Sequence, residues 1–345
     1  MVCAQHRSLL EVVGVGMSLS VVAPLWQDRP PEENLQVALL ADRLGYAELW
    51  IGEMATYDAF AFATAAGAQS SQIALTIGPL AVSVRTPMGL AMGVASVASL
   101  TGREVRLALG ASSQVVVEDW HGVSRERTAT HLAETAQATR LLLAGEKANF
   151  SGSLARTQGY RLRLPAPGAH ITMAAFSPAA VRAAARHADR MVLNLVTPSA
   201  VAMLREQMEQ TARKAGRPAP RLAVWVATAV DPTADSVVQV LRAAVAYLAA
   251  PGYRDMFCEA GFGDLVKFAE TRPHPKELFA EIPTELASAV GLLGDTQSIK
   301  KRMAEYEAAG ADELCLVPAT AGDPAGEHTL RSMQGLTSKP ITGDS

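Results

Sequence analysis

Eight short runs of aliphatic and β-branched residues alternate along this chain with longer stretches that carry apolar residues at helical spacing. The predicted strands are Val12 to Leu19, Glu48 to Ile51, Ile73 to Leu80, Val105 to Leu109, Ile171 to Ala175, Met191 to Leu195, Leu222 to Val230 and Glu313 to Val317. Helices are expected from Pro30-Pro31 to Gly45, then over Asp58 to Ser70, Pro87 to Leu100, Arg125 to Ala144, Pro178 to His187, Ser199 to Ala215, Ser236 to Ala249 and Thr296 to Ala309. Prolines and acids open several of these helices, and glycine ends the first. Such an alternation demands right-handed crossovers and a parallel sheet. Eight units that close on themselves make an α/β fold of the (β/α)8 TIM-barrel type. An open, doubly wound sheet is the alternative. It would show a glycine-rich turn after the first strand, whereas Gly14-Val15-Gly16 lies inside the strand and no third glycine opens a helix.

Two segments break the rhythm and read as insertions after strands four and seven, over about 146–168 and 251–290. In the first, Tyr160-Arg161-Leu162-Arg163-Leu164 alternates like a half-exposed strand. The remainder of residues 1–345 reads as a single barrel domain, with a polar tail over 320–345 that is expected to fray. The chain is 49% hydrophobic and 19% charged, enough for a large core and too little charge for disorder. A net charge of −3 weighs against nucleic acid as a partner, and the bias to 24 arginines over 7 lysines is read as codon usage. Cys3, Cys258 and Cys315 lie far apart, with no metal-ligand cluster. No apolar run is long enough to span a membrane, and Leu9 to Met17, interrupted by Glu11, reads as a buried strand rather than a signal peptide. The expected location is the cytoplasm.

In a TIM barrel the site lies at the C-terminal ends of the strands. That rule selects Met17, Ser18 and Ser20 after strand one; Gly52, Glu53 and Met54 after strand two; and Ile77, Gly78 and Pro79 at the end of strand three. It also selects Gly110, Ala111, Ser112 and Ser113 after strand four, Ala175, Phe176 and Ser177 after strand five, and Asn194 and Thr197 after strand six. The set is poor in acid–base groups. Glu53 either handles protons or caps a neighbouring backbone. His121, beside Trp120 in the strand-four loop, either exchanges protons near neutral pH or is merely exposed. Ser177 with Pro178 either opens a well-capped helix or presents amides to a phosphate. Small rim residues suit close approach of a large planar ligand, leaving the hard chemistry to a cofactor.

The segments Ala41-Asp42-Arg43-Leu44-Gly45-Tyr46-Ala47-Glu48-Leu49-Trp50-Ile51-Gly52-Glu53 and Leu109-Gly110-Ala111-Ser112-Ser113-Gln114, continuing to Trp120-His121-Gly122, carry a resemblance to the luciferase-like monooxygenase superfamily. Ala174-Ala175 with Pro178, Ala188-Asp189, Gly291-Leu292-Leu293-Gly294-Asp295 and Ala308 to Leu314 extend it from about residue 12 to 318. Within that superfamily the chain resembles the coenzyme F420-dependent oxidoreductases. The resemblance implies a redox cofactor across the barrel mouth, backed by a non-prolyl cis peptide near Ile77-Gly78. It implies cofactor contacts from Gly110, Ala111, Ser112 and Ser113, with the phosphate at Ala175, Phe176 and Ser177. It further implies a homodimer joined through helices near strands two and three. Two departures stand out: sugar-phosphate dehydrogenases of the superfamily carry His and Glu where this chain has Met54 and Ser113, so sugar oxidation is not carried over. Glycine is usual where this chain has Phe176 or Ser177.

The reading is therefore an oxidoreductase that moves hydride between coenzyme F420 and a small organic substrate. Glu53 and His121 are the candidate catalytic groups, and Met17, Met54 and Trp120 the candidate pocket. The alternatives are an FMN-dependent monooxygenase on the same fold and a cofactor-binding protein without catalysis.

Overall fold

The computed structural model describes residues 16–337 except Pro165 and Pro167. Among the described residues there are eleven strands: β1 (Ser18–Val22), β2 (Glu48–Ile51), β3 (Ala74–Ala81), β4 (Val105–Gly110), β5 (Ala148–Ser151), β6 (Arg156–Tyr160), β7 (Ile171–Ala174), β8 (Arg190–Asn194), β9 (Arg221–Val230), β10 (Gly291–Gly294) and β11 (Glu313–Pro318). Eight of them, β1, β2, β3, β4, β7, β8, β9 and β11, pair in that order, all parallel. The pairing of β1 with β11, Ser18 opposite Glu313 through Val21 opposite Leu316, closes the ring. The fold is a TIM barrel, and the open-sheet alternative falls. The helices α1 (Glu33–Arg43), α2 (Ala59–Gln69), α3 (Pro87–Thr101), α4 (Thr128–Leu143), α5 (Pro178–His187), α6 (Pro198–Lys214) and α7 (Ala234–Ala244) form much of the outer layer. Next come α8 (Tyr253–Phe257), α9 (Gly263–Glu270), α10 (Pro275–Ala280), α11 (Glu285–Val290), α12 (Thr296–Ala308) and α13 (Glu327–Thr337).

Four expectations need correction. The first strand lies further along, at Ser18–Val22; its predicted start over 12–15 is outside the described residues. Serines were read as the end of the strand, but Ser20 faces the barrel interior and donates to the Glu313 carboxylate at 2.6 Å, so polar residues belong inside it. The strand expected at Tyr160–Leu164 is instead β6, paired antiparallel with β5. Gly291–Gly294, too short and glycine-rich to signal a strand, pairs as β10 with Ala227–Val230 of β9. It lies on the same edge of β9 as β8, beyond the residues that β8 occupies. The tail does not fray from residue 320: α13 buries Leu330 and Met333, and the Tyr46 hydroxyl donates to the Leu330 carbonyl at 2.8 Å.

Most apolar burial lies between the barrel and its helices. Inside the barrel, a second and smaller cluster contains Val22, Trp50, Ala108, Val192, Ala223 and Cys315. Below it, at the first residues of three strands, sits an ionic plug. Arg190 bonds Glu48 at 2.6 Å and Glu313 at 2.8 Å, and its guanidinium lies 4.2 Å from the Trp50 ring centre. Arg106 completes the pairing of Glu48. Burial alone would raise the Glu48 carboxyl, but the bonds and charge of Arg190, with Arg106, override it and hold the group below its ordinary value. The bottom of the barrel is thus filled and fully paired, which leaves the opposite end as the place for a ligand.

Candidate active site

At the mouth, the inward-facing positions of the last strand layer divide the opening in two. The β2–β3–β4–β7 side is built from Gly52, the Gly78-Pro79 pair, Gly110 and Ala174. A Cβ at Gly110 would lie 3.0 Å from the Pro79 Cβ and 3.8 Å from the Ala174 Cβ, so glycine leaves a strip of bare backbone there. A Cβ at Gly52 would come within 2.8 Å of Leu25 and 3.5 Å of Trp225. The opposite side carries Asn194, Trp225 and Val317, all half-buried. Trp225 meets Trp50 edge-on, with ring centres 5.7 Å apart, and its buried indole N–H has no hydrogen-bond partner. A wall of small residues beside an aromatic side chain suits a planar ring, while Leu25 leans over Gly52 and the Tyr247 hydroxyl reaches Asn194.

The expected cofactor residues fall on this wall or beside it. Ile77 is buried under the rim, and the pairing of β3 with β4 slips between Ile77 and Leu80. The bulge is where it was expected, but its cis peptide is Gly78-Pro79, one bond further on and prolyl. Gly78 has φ of 119°, and a Cβ there would overlap the Ala108 carbonyl, so no side chain fits without moving backbone. After β4, Gly110 is buried, Ala111 half-buried, and Ser112 and Ser113 exposed. Ser112 adopts φ of 57°, and its carbonyl accepts from Arg125 Nε at 2.8 Å, while the Ser113 hydroxyl caps the Val116 amide at 3.2 Å. A π-helical turn over Val115–Trp120 follows.

Across the opening, Ala175 is buried and Ser177 caps α5 through the Ala180 amide at 3.3 Å. Ser177, Pro178 and Ala179 are exposed, so the N-terminus of α5 is open at the mouth. Phe176 does not close it. Its ring stacks on Tyr253 with centres 4.3 Å apart and an interplanar angle of 12°. The Tyr253 hydroxyl in turn donates to the Asn194 carbonyl at 2.8 Å, and Asn194 Nδ2 reaches the Tyr247 hydroxyl at 3.4 Å. Burial pushes both tyrosine hydroxyls above their ordinary range. This aromatic group ties the segment after α7 to the ends of β7 and β8.

Glu53 and His121 are not brought into one acid–base pair by any hydrogen bond or ion pair found. Glu53 pairs with Arg85 and accepts weakly from the Ala59 amide at 3.4 Å. Arg85 bridges to Asp58 at 2.7 Å, and Asp58 caps α2 through the Phe60 and Ala61 amides. Burial works against the charge on Asp58, yet Arg85 and the helix amides hold its carboxyl below the ordinary value. His121 is exposed at the end of the π-helical turn, beside an exposed Trp120. Met54 is exposed after β2. Met17 is not at the mouth. It precedes β1, at the plugged end of the barrel, because the strand begins later than its sequence suggests. Arg85 and Trp225 were missed. A lone arginine in a loop gives no signal in sequence, and Trp225 looks like ordinary core in an apolar strand. Among the described residues, no cluster of His, Cys, Asp or Glu could hold a metal ion, and no helix is long and apolar enough to cross a membrane.

The class follows from fold and match together. Residues 13–313 match the luciferase-like monooxygenase family, and the chain belongs to it. A protein of Mycobacterium tuberculosis assigned to the coenzyme F420-dependent oxidoreductases is 24% identical over 337 residues, covering 89% of this chain and 96% of that one. Among solved structures, the coenzyme F420-dependent tetrahydromethanopterin reductase of Methanopyrus kandleri superposes with a TM-score of 0.76 at 16% identity, covering 93% of this chain and 97% of that one. An F420-dependent secondary alcohol dehydrogenase, solved with an F420–acetone adduct, gives 0.75 at 17% identity, covering 93% and 98%.

Proposed function

We propose that this chain is an oxidoreductase that uses coenzyme F420, and that the deazaflavin ring rests on the wall formed by Gly78-Pro79, Gly110 and Ala174. The observation that carries the reading is that wall: four small or cyclic residues from β3, β4 and β7, packed so closely that a Cβ at Gly110 would lie 3.0 Å from the Pro79 Cβ, with Trp225 on the other side of the opening. The F420-dependent relatives favour the deazaflavin over FMN. When bound, the cofactor supplies or accepts a hydride. The work of the protein is to hold the substrate about 3–3.5 Å from the reacting atom and to keep water out. Ala111, Ser112 and Ser113 border the ring, and the exposed amides at the start of α5, with Ser177, receive the phosphate without a cationic side chain. Phe176, drawn onto Tyr253, leaves that approach clear. Glu53, paired with Arg85, braces the loop after β2, and His121, in contact with solvent, is the candidate for proton exchange.

Leucine at Gly110 tests the reading, because its side chain would occupy the ring's place. Gly110→Leu should weaken F420 binding at least tenfold in a fluorescence titration, with little change in far-ultraviolet circular dichroism. Unaltered affinity would remove the ring from this wall. The reading includes a homodimer formed through the outer face of α3. Its support is that Met88, Met92 and Leu100 are exposed there in a row too apolar for solvent. A monomer mass at micromolar concentration in sedimentation equilibrium would exclude it.

A further inference from the structure

We propose that the substrate admitted to this mouth is an uncharged, largely apolar organic molecule, and that phosphate esters and carboxylates are turned away; the inference rests on the redox reading above and names what that site receives. The first observation is charge. The loops that follow the barrel strands are 23–32, 52–58, 82–86, 111–127, 175–177, 195–197, 231–233 and 319–326, and together they hold nine carboxylates against four arginines. This excess is larger than the net −3 of the whole chain, so the negative charge is gathered at the mouth. The segment 251–290, whose Tyr253 stacks on Phe176, adds seven carboxylates against four Lys and Arg and offsets nothing. An anion approaching this end meets a field of its own sign.

The second observation is that the four arginines are already engaged. Arg29 bonds Glu33, Arg85 bonds Glu53 and Asp58, Arg125 bonds the Ser112 carbonyl, and Arg127 bonds the Ser153 hydroxyl. A phosphate or carboxylate substrate is gripped best by a two-pronged fork of N–H donors; Arg29 and Arg85 spend theirs on carboxylates, while Arg125 is held through Nε and Arg127 through one Nη, in a loop that also holds Glu118, Asp119 and Glu126. The third observation is that, among the loops at the mouth, the exposed large apolar side chains fall in the two that follow β2 and β4. Met54 and Tyr57 follow β2, and Val115, Trp120 and Val123 follow β4, with exposures from 37% to 56%. Below them the floor is Trp225 and Val317, with Asn194 the one amide. Apolar side chains held in water at a site entrance gain most by covering an apolar ligand. The cofactor phosphate is not excluded by the same field, because the loops after β7 and β8, which border the start of α5, carry no charged side chain at all.

The test compares a matched pair on the full chain, decan-2-one and 9-oxodecanoate, by isothermal titration calorimetry with F420 present at low ionic strength. The ketone should bind at least tenfold more tightly than the keto acid. The pair Met54→Ser with Trp120→Ser, both at exposed positions outside the core, should weaken the ketone at least fivefold and leave the keto acid unchanged. A keto acid that binds as well as the ketone, or a ketone that fails to bind up to its solubility limit, overturns the proposal. Repeating the titrations without cofactor, beside a separate F420 titration, keeps the two readings apart. Discrimination without F420 binding strikes only the redox reading, and F420 binding without discrimination strikes only the substrate class.

Discussion

Glu53 stands just past the end of β2, where a barrel enzyme often keeps a working carboxylate, yet its oxygens are already committed to Arg85 and the Ala59 amide. A partly exposed pair of this kind contributes about 0.2–1 kcal/mol. Glu53→Ala should therefore lower stability by about 1 kcal/mol or less in a urea titration and leave turnover within about twofold. A loss of turnover beyond tenfold at unchanged stability would return Glu53 to the chemistry. Both possible roles of Glu53 were visible in the sequence, but choosing between them needed Arg85, 32 residues away. Met17 shows the opposite failure. Its place in the pocket depended on where the first strand ends, and the inward serines of β1 disguised that boundary. Gly78 and Gly110 stand out in the sequence as glycines at strand ends, and in the structure both are crowded by neighbouring protein atoms.

Elements with strong punctuation were read at their observed bounds. Glu48–Ile51 is the second strand as expected, and Pro178–His187, opened by Ser177 and proline, is the fifth helix as expected. The hairpin of β5 and β6 was placed only coarsely, since its alternation continues past the paired residues. What fixes it is Glu134 on α4, whose carboxylate accepts from the Ser153, Leu154 and Ala155 amides at 2.7–2.9 Å. Burial opposes that charge, but the three amides and the Ser153 hydroxyl together override it and lower the carboxyl to about 2. A depressed carboxyl stabilises the folded state above its unfolded value near 4.5 and loses that contribution as pH falls toward 2. Protection factors of the amides in residues 148–160 should therefore hold down to about pH 4.5 and fall progressively below it. Glu134→Ala should show the lowered protection already at pH 7. Equal protection in the variant at pH 7 would deny Glu134 this anchoring role.

Across the whole molecule, barrel closure was predictable from eight alternating units, but the plug inside it was not. Arg190 reaches Glu48 and Glu313 across sequence separations of 142 and 123, and no local pattern links three charged residues at the starts of apolar strands. Removing one member of a buried pair leaves uncompensated charge at a cost of about 3–5 kcal/mol. Arg190→Met should destabilise the barrel by about that amount, whereas the triple replacement of Glu48, Arg190 and Glu313 by apolar residues should recover much of it. A single variant as stable as the parent would contradict the pairing described. The opposite end of the same barrel carries small residues and a tryptophan in place of paired charges, and the proposed activity depends on that asymmetry. Titration of the purified chain with F420 and, in parallel, with FMN measures it directly. Saturable binding of F420, at least tenfold tighter than FMN and weakened by Gly110→Leu, is the expected result. Preference for FMN, or no binding of either, would contradict it.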